Sequence, residues 1–239
     1  YTRRRHVATE LRRSWQLQGQ RLLNRSGQLA GVRLSLIGLD IASLPTLPAD
    51  TDYGHVTDLT MVGLNLHAIP SGFLRCFSRL RWLNLNSNAL TGIPDDIAQL
   101  TSLVELRMAR NRIPMTQASP DTVRELYRLQ TLDLSFNPLG AISLRFRQLS
   151  RLRELSLRQT GLQSVPEGLE WCGMLVLADL RDNQIAQVPE TLLTASAQTR
   201  QALELRDNPL AVDVRQRLYA PEPAPQIVQS TAVEPSPVR

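Results

Sequence analysis

The amino-acid sequence predicts an α/β solenoid, in which a parallel sheet of about eight short strands lines the concave side of a curved coil. Three observations support this: a pattern recurs at a nearly fixed period, leucines alternate with polar residues within it, and an asparagine follows at a constant distance. The pattern is L-x-x-L-x-L-x-x-N-x-L, and it begins at residues 31, 56, 80, 103, 129, 152, 175 and 200. Successive units are 23 to 26 residues apart, which is the spacing of leucine-rich repeats.

Each unit begins with a short strand. We number positions from the first residue of a unit, so that Leu83 and Leu85 occupy positions four and six of the third unit. Leucines at these positions alternate with polar residues, which is typical of a strand with one buried face. One such strand cannot bury its leucines alone, but stacked units form a continuous core. We therefore expect a leucine-rich-repeat solenoid of horseshoe shape, with turns and one short helix on its convex side.

An asparagine ladder is predicted at position nine, where the chain turns inward after the strand. A carboxamide can both donate to and accept from backbone groups that would otherwise be buried without partners. Loss of one ladder asparagine should cost about 1–3 kcal/mol. The first, second and sixth units depart from the pattern, with Leu39, Leu64 and Thr160 at this position. The ladder consists of Asn88, Asn111, Asn137, Asn183 and Asn208.

The fourth unit is the longest, and its extra residues predict the convex helix. Ser119 suits an N-cap and Pro120 suits the first turn of a helix. We expect this helix at about 120–128.

The two ends of a solenoid expose its core and need caps. Val7, Leu11 and Trp15 are spaced at i, i+4 and i+8, which predicts an amphipathic helix at about 5–18. At the other end, residues 211–219 are expected to cover the last strand with Val214, Leu218 and Tyr219. The predicted organisation is a helical cap at 1–28, a leucine-rich-repeat domain at 29–219, and a proline-rich linker or disordered tail at 220–239.

The charge is distributed unevenly along the chain. All 27 basic residues are arginine, so enzymes that need a P-loop or Schiff-base lysine are excluded. Residues 1–30 carry a net charge of +6, whereas residues 31–239 carry −1. Because the repeats are nearly neutral and show no basic stripe in sequence, we expect no nucleic-acid partner. No apolar run approaches 18 residues, so we expect no membrane span.

Residues capable of catalysis or metal binding are few and scattered. The three histidines, His6, His55 and His67, do not form a ligand motif, and no hydrolase or phosphate-loop signature is present. Cys76 and Cys172 have neither disulfide nor metal spacing, and both lie among apolar residues, which favours inert thiols. We therefore expect no catalytic residue, no metal site and no cofactor.

The concave face is the candidate binding surface. At position seven, three consecutive units carry arginine, and acidic residues lie beside them. This pattern has two interpretations: a solvated ladder of surface ion pairs, each worth at most about 1 kcal/mol, or a face for a charged protein partner. Trp82 and Phe136, at outward positions near Arg107 and Arg110, favour contact with a partner. The candidate residues are Trp82, Asn84, Arg107, Arg110, Asp133, Phe136, Arg158, Asp179, Arg181, Glu204 and Arg206.

Several irregular segments carry a more specific resemblance, which covers about residues 1–219. They are Trp15 in the leading helix, LPTLPAD at 44–50, FLRCFSRLRWLNLNSNALTGIPDDI at 73–97, LQTLDLSFNPLG at 129–140, LRQTGLQSVPEGL at 157–169, and LRDNPL at 205–210 with Arg215 and Leu218. Together they resemble the leucine-rich-repeat region of bacterial effectors that carry a novel-type (NEL) cysteine ubiquitin-ligase domain. The resemblance is to Pseudomonas-type forms with a dermonecrotic-toxin-like region upstream.

This resemblance implies a substrate-binding arm of a secreted ligase that acts in the host cytoplasm. The repeats would select a host protein and could restrain the ligase's own catalytic domain. The family's catalytic cysteine lies in a C-x-D setting, which neither Cys76 nor Cys172 matches, so no catalytic residue is carried over. Two alternatives stay open: a stand-alone adaptor or inhibitor without ligase activity, and a spacer for an enzyme located upstream. The lack of lysine would protect a ligase arm from self-ubiquitination, although GC-rich coding explains it equally well.

Overall fold

A single sheet dominates the computed structural model, which describes residues 2–48, 50–114, 123, 125–140 and 145–219. Within these residues the strands are β1 (Gln20–Leu23), β2 (Leu29–Ile37), β3 (Val56–Val62), β4 (Trp82–Asn84), β5 (Glu105–Arg107), β6 (Thr131–Asp133), β7 (Glu154–Ser156), β8 (Leu177–Asp179) and β9 (Leu203–Glu204). The α-helices are α1 (Thr2–Trp15), α2 (Glu190–Leu193), α3 (Ala197–Gln201) and α4 (Val212–Leu218).

The strands lie side by side in chain order. β1 is antiparallel to β2, and every later pair is parallel. The register aligns position four of successive units, so that Leu83 is opposite Leu106, which is opposite Leu132. This arrangement confirms the predicted solenoid with its parallel sheet. The antiparallel strand β1 was not predicted.

The core runs continuously beneath the sheet. Leucines at position four, such as Leu83, Leu106 and Leu132, are at most 1% exposed, and Leu85 and Leu134 at position six are fully buried. On the convex side the chain returns through short 3-10 turns, at Leu74–Cys76, Asp95–Gln99 and Leu169–Trp171. The buried leucines of each unit therefore pack on those of the next, as the repeat requires.

The asparagine ladder forms as predicted. Asn183 Nδ2 donates to the carbonyl oxygens of Leu157 at 2.8 Å and Leu180 at 2.9 Å. Its Oδ1 accepts from the backbone amides of Thr160 at 2.9 Å and Leu162 at 3.1 Å. The Thr160 hydroxyl donates to the Leu157 carbonyl at 2.7 Å, a contact within its own unit. Each ladder carboxamide thus joins two units through backbone groups at the inward turn.

Position eight adopts a left-handed backbone conformation in every unit, with φ between 52° and 66°. Side chains usually avoid this region because Cβ then lies too close to the following carbonyl oxygen. The residue at position eight turns the chain so that the ladder asparagine points inward. The first two units have glycine at this position, whereas the later units have residues with a side chain, whose backbone is therefore strained. The eight residues are Gly38, Gly63, Ser87, Arg110, Phe136, Gln159, Asp182 and Asp207.

The N-terminal cap consists of α1 and β1. Val7 and Leu11 are buried as predicted, but Trp15 is 58% exposed, which contradicts its expected place in the buried stripe. The helix ends at Trp15 rather than at about residue 18, and Ser14 is the buried residue of its last turn. The cap is anchored by Tyr53, whose hydroxyl donates to the Leu11 carbonyl at 3.1 Å. β1 then pairs with β2 and extends the sheet beyond the first repeat.

The C-terminal cap is α4. Leu218 is buried as predicted and Val214 is half-buried. Tyr219 is 54% exposed, but its hydroxyl donates to the carbonyl of Leu203 in the last strand at 3.5 Å. Arg200 is 7% exposed and donates from Nη1 to the Arg217 carbonyl at 3.2 Å, which fixes α4 to the last unit.

Two sequence predictions fall wholly or largely outside the described residues. The proline-rich tail at 220–239 lies outside them. Of the helix expected at about 120–128, only residues 123 and 125–128 are described; residue 123 is helical and residues 125–128 are not. The Leu126 amide donates to the Val123 carbonyl at 3.0 Å, a bond of the 3-10 type.

Within the described part of the chain, no helix has the length and apolar character needed to cross a bilayer.

Candidate functional site

The concave face is formed by side chains at positions three, five and seven, which alternate with the buried leucines. Nine of the eleven candidate residues lie at these positions, and Arg110 and Phe136 lie at position eight beside them. Parallel register places Asn84 opposite Arg107, and Arg107 opposite Asp133. The fold therefore gathers the predicted residues on one surface, about one strand spacing (roughly 4.8 Å) apart from unit to unit.

The arginines of the C-terminal half are paired with carboxylates. Arg158 Nε lies 2.6 Å from Asp182, and Arg206 Nε lies 3.1 Å from Glu204. The sequence analysis predicted this internal pairing. These side chains are a third or more exposed, so the pairs contribute little to stability.

Asp179 and Arg181 form the most buried of these pairs. Asp179 is 9% exposed and accepts hydrogen bonds from Arg181 Nε at 2.8 Å and Nη2 at 2.7 Å. Burial alone would raise the pKa of Asp179, but these hydrogen bonds and the positive charge of Arg181 outweigh it, and the pKa is lowered. The carboxylate also raises the pKa of Arg181. Asp179 is therefore ionised and held in place.

Phe136 lies between two guanidinium groups at the centre of the face. Arg110 lies over its ring, 4.3 Å from the centroid, and Arg158 lies 6.0 Å from it. Arg110 is exposed, and no carboxylate among the described residues forms an ion pair with it. The Phe136 ring thus orients a charged group that is free to bind an anionic side chain of a partner.

Trp82 and Arg107 form separate contacts. Arg107 Nε donates to Glu105 at 2.5 Å, and this bond raises the pKa of Arg107. Trp82 is half-buried and lies under Arg81, whose guanidinium carbon is 4.7 Å from the ring centroid. Sequence reasoning did not select Arg81, which lies at position two and covers the Trp82 ring.

The hairpin formed by β1 and β2 adds a cleft to the N-terminal end of the face. The cleft has a volume of about 590 Å³ and lies between the hairpin and Trp82. Its apolar walls include Leu22, Leu23 and Ile37. Leu23 and Ile37 are each more than 60% exposed. Sequence reasoning missed this part of the site, although the turn signal N-R-S-G at 24–27 follows Leu22 and Leu23 directly.

The two cysteines are unsuited to nucleophilic chemistry. Burial raises the pKa of Cys172 to about 11, with a smaller contribution from Glu170. Burial also raises the pKa of the half-buried Cys76, with Asp96 and Asp52 adding to the effect. Because the thiolate is the reactive form, both thiols are poor nucleophiles near neutral pH. Among the residues that the structure describes, no group of three His, Cys, Asp or Glu side chains could hold a metal ion.

Comparison with protein families identifies the repeat. A model described as "Leucine rich repeat" matches residues 55–113, and a second model of that description matches residues 128–149. The chain contains a leucine-rich-repeat domain. Podocan of Mus musculus is 33% identical over 153 residues, which is 53% of this chain and 24% of Podocan. The chain spans between 24% and 45% of the first three curated relatives.

Solved structures agree with the leucine-rich-repeat fold. A chain in the octameric complex of Latrophilin 3, Unc5D and FLRT2 is 25% identical, with a TM-score of 0.58 over 78% of this chain and 57% of that one. The leucine-rich-repeat domain of a Shigella effector is 24% identical, with a TM-score of 0.56 over 78% of this chain and 73% of that one. The second likeness shows the fold alone. Leucine-rich-repeat domains of this kind serve protein–protein interaction and are typically not catalytic.

Proposed function

We propose that the concave face of this leucine-rich-repeat domain binds a protein partner, with Arg110, Phe136 and Trp82 at the centre of the contact. The observation that carries this proposal is Arg110 itself. Arg110 is exposed and contacts an aromatic ring. The other arginines at concave positions each form an ion pair with a carboxylate of the chain; they are Arg33, Arg107, Arg158, Arg181 and Arg206. Aromatic and arginine side chains of this type often dominate protein interfaces.

The test is partner capture with single variants. Arg110→Gln should weaken capture by at least tenfold because it removes the only unpaired guanidinium of the described concave face, and Trp82→Ala should do the same through lost contact area. Arg112→Gln is the matched control, because Arg112 lies at position ten, outside the concave face, and this variant should leave capture unchanged. Melting temperatures of Arg110→Gln and Arg112→Gln should equal that of the unmodified chain. Capture that survives both concave variants would contradict the proposal.

We propose further that the domain is the substrate-binding arm of a secreted bacterial effector ubiquitin ligase that acts in the host cytoplasm. The support is the resemblance of the irregular segments, including the DLSFNPLG and LRQTGLQSVPEGL stretches. In this assignment the partner of the concave face is a host protein or the ligase's own catalytic domain. The catalytic residue would lie outside this chain, since Cys76 and Cys172 are poor nucleophiles.

The full-length gene product decides the ligase assignment. Given ubiquitin, an activating enzyme and a conjugating enzyme, it should form a reducible ubiquitin thioester and build ubiquitin chains. The 239-residue chain alone should form no thioester. Absence of any thioester in the full-length protein would favour the alternative, a leucine-rich-repeat adaptor or inhibitor.

The absence of lysine gives a second test of the ligase assignment. A chain without lysine presents ubiquitin with no side-chain amine, so a ligase arm would avoid self-modification. Arg79→Lys and Arg151→Lys preserve charge and lie at exposed sites. In the full-length protein they should create ubiquitin acceptors on the repeats. Unchanged self-ubiquitination would leave GC-rich coding as the explanation.

A further inference from the structure

One lateral edge of the solenoid carries an unusual charge. We call it the leading edge. It consists of two residues from each of units three to eight: the residue just before the unit (position zero) and the residue at position two. Backbone hydrogen bonds join its position-two residues in a row: Val104 donates to Arg81, Gln130 to Val104, Arg153 to Gln130 and Val176 to Arg153, each at 2.8 Å. Neighbouring residues of the row are therefore regularly placed, one strand spacing apart.

The leading edge is basic and contains no acidic residue. Its twelve positions hold five arginines, which are Arg79, Arg81, Arg128, Arg151 and Arg153, all exposed. The opposite edge, at positions ten and twelve of the same units, holds Arg112 as its one charged residue. The acidic residues of the strands instead occupy concave positions, as Glu105, Asp133 and Glu154 do.

The arginines of the leading edge also differ from the concave ones in their partners. Concave arginines such as Arg107, Arg158 and Arg206 each form an ion pair. In the part of the chain that the structure describes, none of the five leading-edge arginines has a carboxylate within ion-pair distance. No ion pair among the described residues therefore neutralises the positive charge of this edge.

Exposed apolar side chains lie beside these charges. Met174 and Val176 belong to the leading edge itself and are 50% and 59% exposed. Trp171 precedes them, is 59% exposed, and lies 5.2 Å from the guanidinium carbon of Arg147. Tyr127, next to Arg128, is 53% exposed. The acidic side chains of residues 161–176 are Glu167, which pairs with Arg145, and the half-buried Glu170; the exposed Glu125 lies two residues before Tyr127.

We propose that the leading edge binds the surface of an anionic phospholipid bilayer. A bilayer presents phosphates over a continuous surface, so it can contact several of these arginines at once, and its phosphates would supply the missing counter-charges. Tryptophan, tyrosine and arginine, each with an apolar body and a polar end, suit the interface between headgroups and acyl chains. Met174 and Val176 favour lipid over nucleic acid, because aliphatic side chains gain nothing from a phosphate backbone.

This surface is not apparent from the amino-acid sequence. Residues 31–239 have a net charge of −1, and no basic stripe is visible along the chain. Consecutive arginines of the leading edge are up to 47 positions apart in sequence, from Arg81 to Arg128, and the repeat brings them onto one surface. The proposal does not depend on the concave face, and variants of one surface leave the other intact.

Vesicle flotation tests the proposal with the whole 239-residue chain. We expect binding to vesicles of equal parts phosphatidylcholine and phosphatidylserine at about 0.15 M salt, and none to phosphatidylcholine alone. Arg151→Gln/Arg153→Gln should weaken binding by about tenfold or more, since each basic residue near an anionic surface contributes roughly fivefold. Trp171→Ala should weaken it severalfold by removing the apolar contact.

The matched control is Arg112→Gln/Arg206→Gln, which removes the same charge outside the leading edge and should retain binding within about twofold. If the Arg151 and Arg153 variant melts early, Arg79→Gln/Arg128→Gln replaces it. Three results would overturn the proposal. They are no binding to anionic vesicles, an equal loss of vesicle binding in both double variants, or binding of a labelled RNA through this edge without binding to vesicles.

Discussion

The guanidinium of Arg181 donates two hydrogen bonds, of 2.8 Å and 2.7 Å, to the carboxylate of Asp179. Because Asp179 is 9% exposed, loss of Arg181 would leave a largely buried charge without its partner. Arg181 therefore supports the fold as well as facing the concave surface. A change at this residue would mix loss of stability with loss of binding, and Arg110 is the cleaner probe of recognition.

The lowered pKa of Asp179 predicts a pH dependence of stability. A carboxyl group whose pKa is lower in the folded state stabilises the protein above its unfolded pKa, near 3.9, and this contribution is lost as the pH falls through the folded value. Asp179→Asn should lower the melting temperature at neutral pH by about 2–4 °C and reduce its fall between about pH 4 and pH 2. Thermal melts across this range measure both effects. Asp207→Asn, at an exposed site of the same face, is the control, and equal behaviour of the two variants would contradict the assignment.

The ladder predicts a large cost for loss of a single carboxamide. Asn183→Ala leaves the backbone amides of Thr160 and Leu162, both buried between units, without the oxygen that accepts their hydrogen bonds. We expect a loss of about 2–3 kcal/mol in the free energy of unfolding, measured by urea denaturation. Asn183→Thr should lose less, since Thr160 shows that a hydroxyl at this position still donates to a backbone carbonyl. Equal losses for alanine and threonine would show that the carboxamide acts by packing alone.

The left-handed backbone at position eight predicts that a side chain added there lowers stability through backbone strain alone. Gly63 has φ of +65°, and a Cβ added there would meet no atom closer than 3.8 Å. Gly63→Ala should therefore cost about 1 kcal/mol through strain and not through a clash. Gly92→Ala, which also meets open space but lies outside the left-handed region, should be neutral or slightly stabilising. Denaturation midpoints that are equal for the two variants would show that position eight carries no strain.

The burial and the raised pKa of the two thiols predict that both are alkylated slowly, Cys76 before Cys172. Cys172 is 1% exposed with a pKa of about 11, so iodoacetamide at about pH 8 should reach it only on unfolding. Cys76 is half-buried and should react first, though more slowly than a free thiol because its pKa is raised. Mass spectrometry of the native protein over time gives the order. Rapid labelling of Cys172 would contradict the buried position.

The sequence predicts the fold well because its signals are periodic. The spacing of Leu83, Leu85 and Asn88 recurs in most units, and each copy reinforces the others. The caps are predicted less well, since they occur once. Trp15 fits a helical stripe in sequence, but α1 ends at that residue and leaves it exposed. The cleft beside Leu23 and the leading edge depend on which units lie side by side, and no local pattern contains that information.

Recognition by the concave face is tested most directly by comparing the proteins captured by three forms of this chain, quantified by mass spectrometry. The unmodified chain and Arg112→Gln should capture the same partner in equal amounts. Arg110→Gln should lose at least nine-tenths of it, in line with the loss of a central arginine contact, and should melt at the same temperature as the unmodified chain. Capture by Arg110→Gln equal to that of the unmodified chain would contradict recognition through this face.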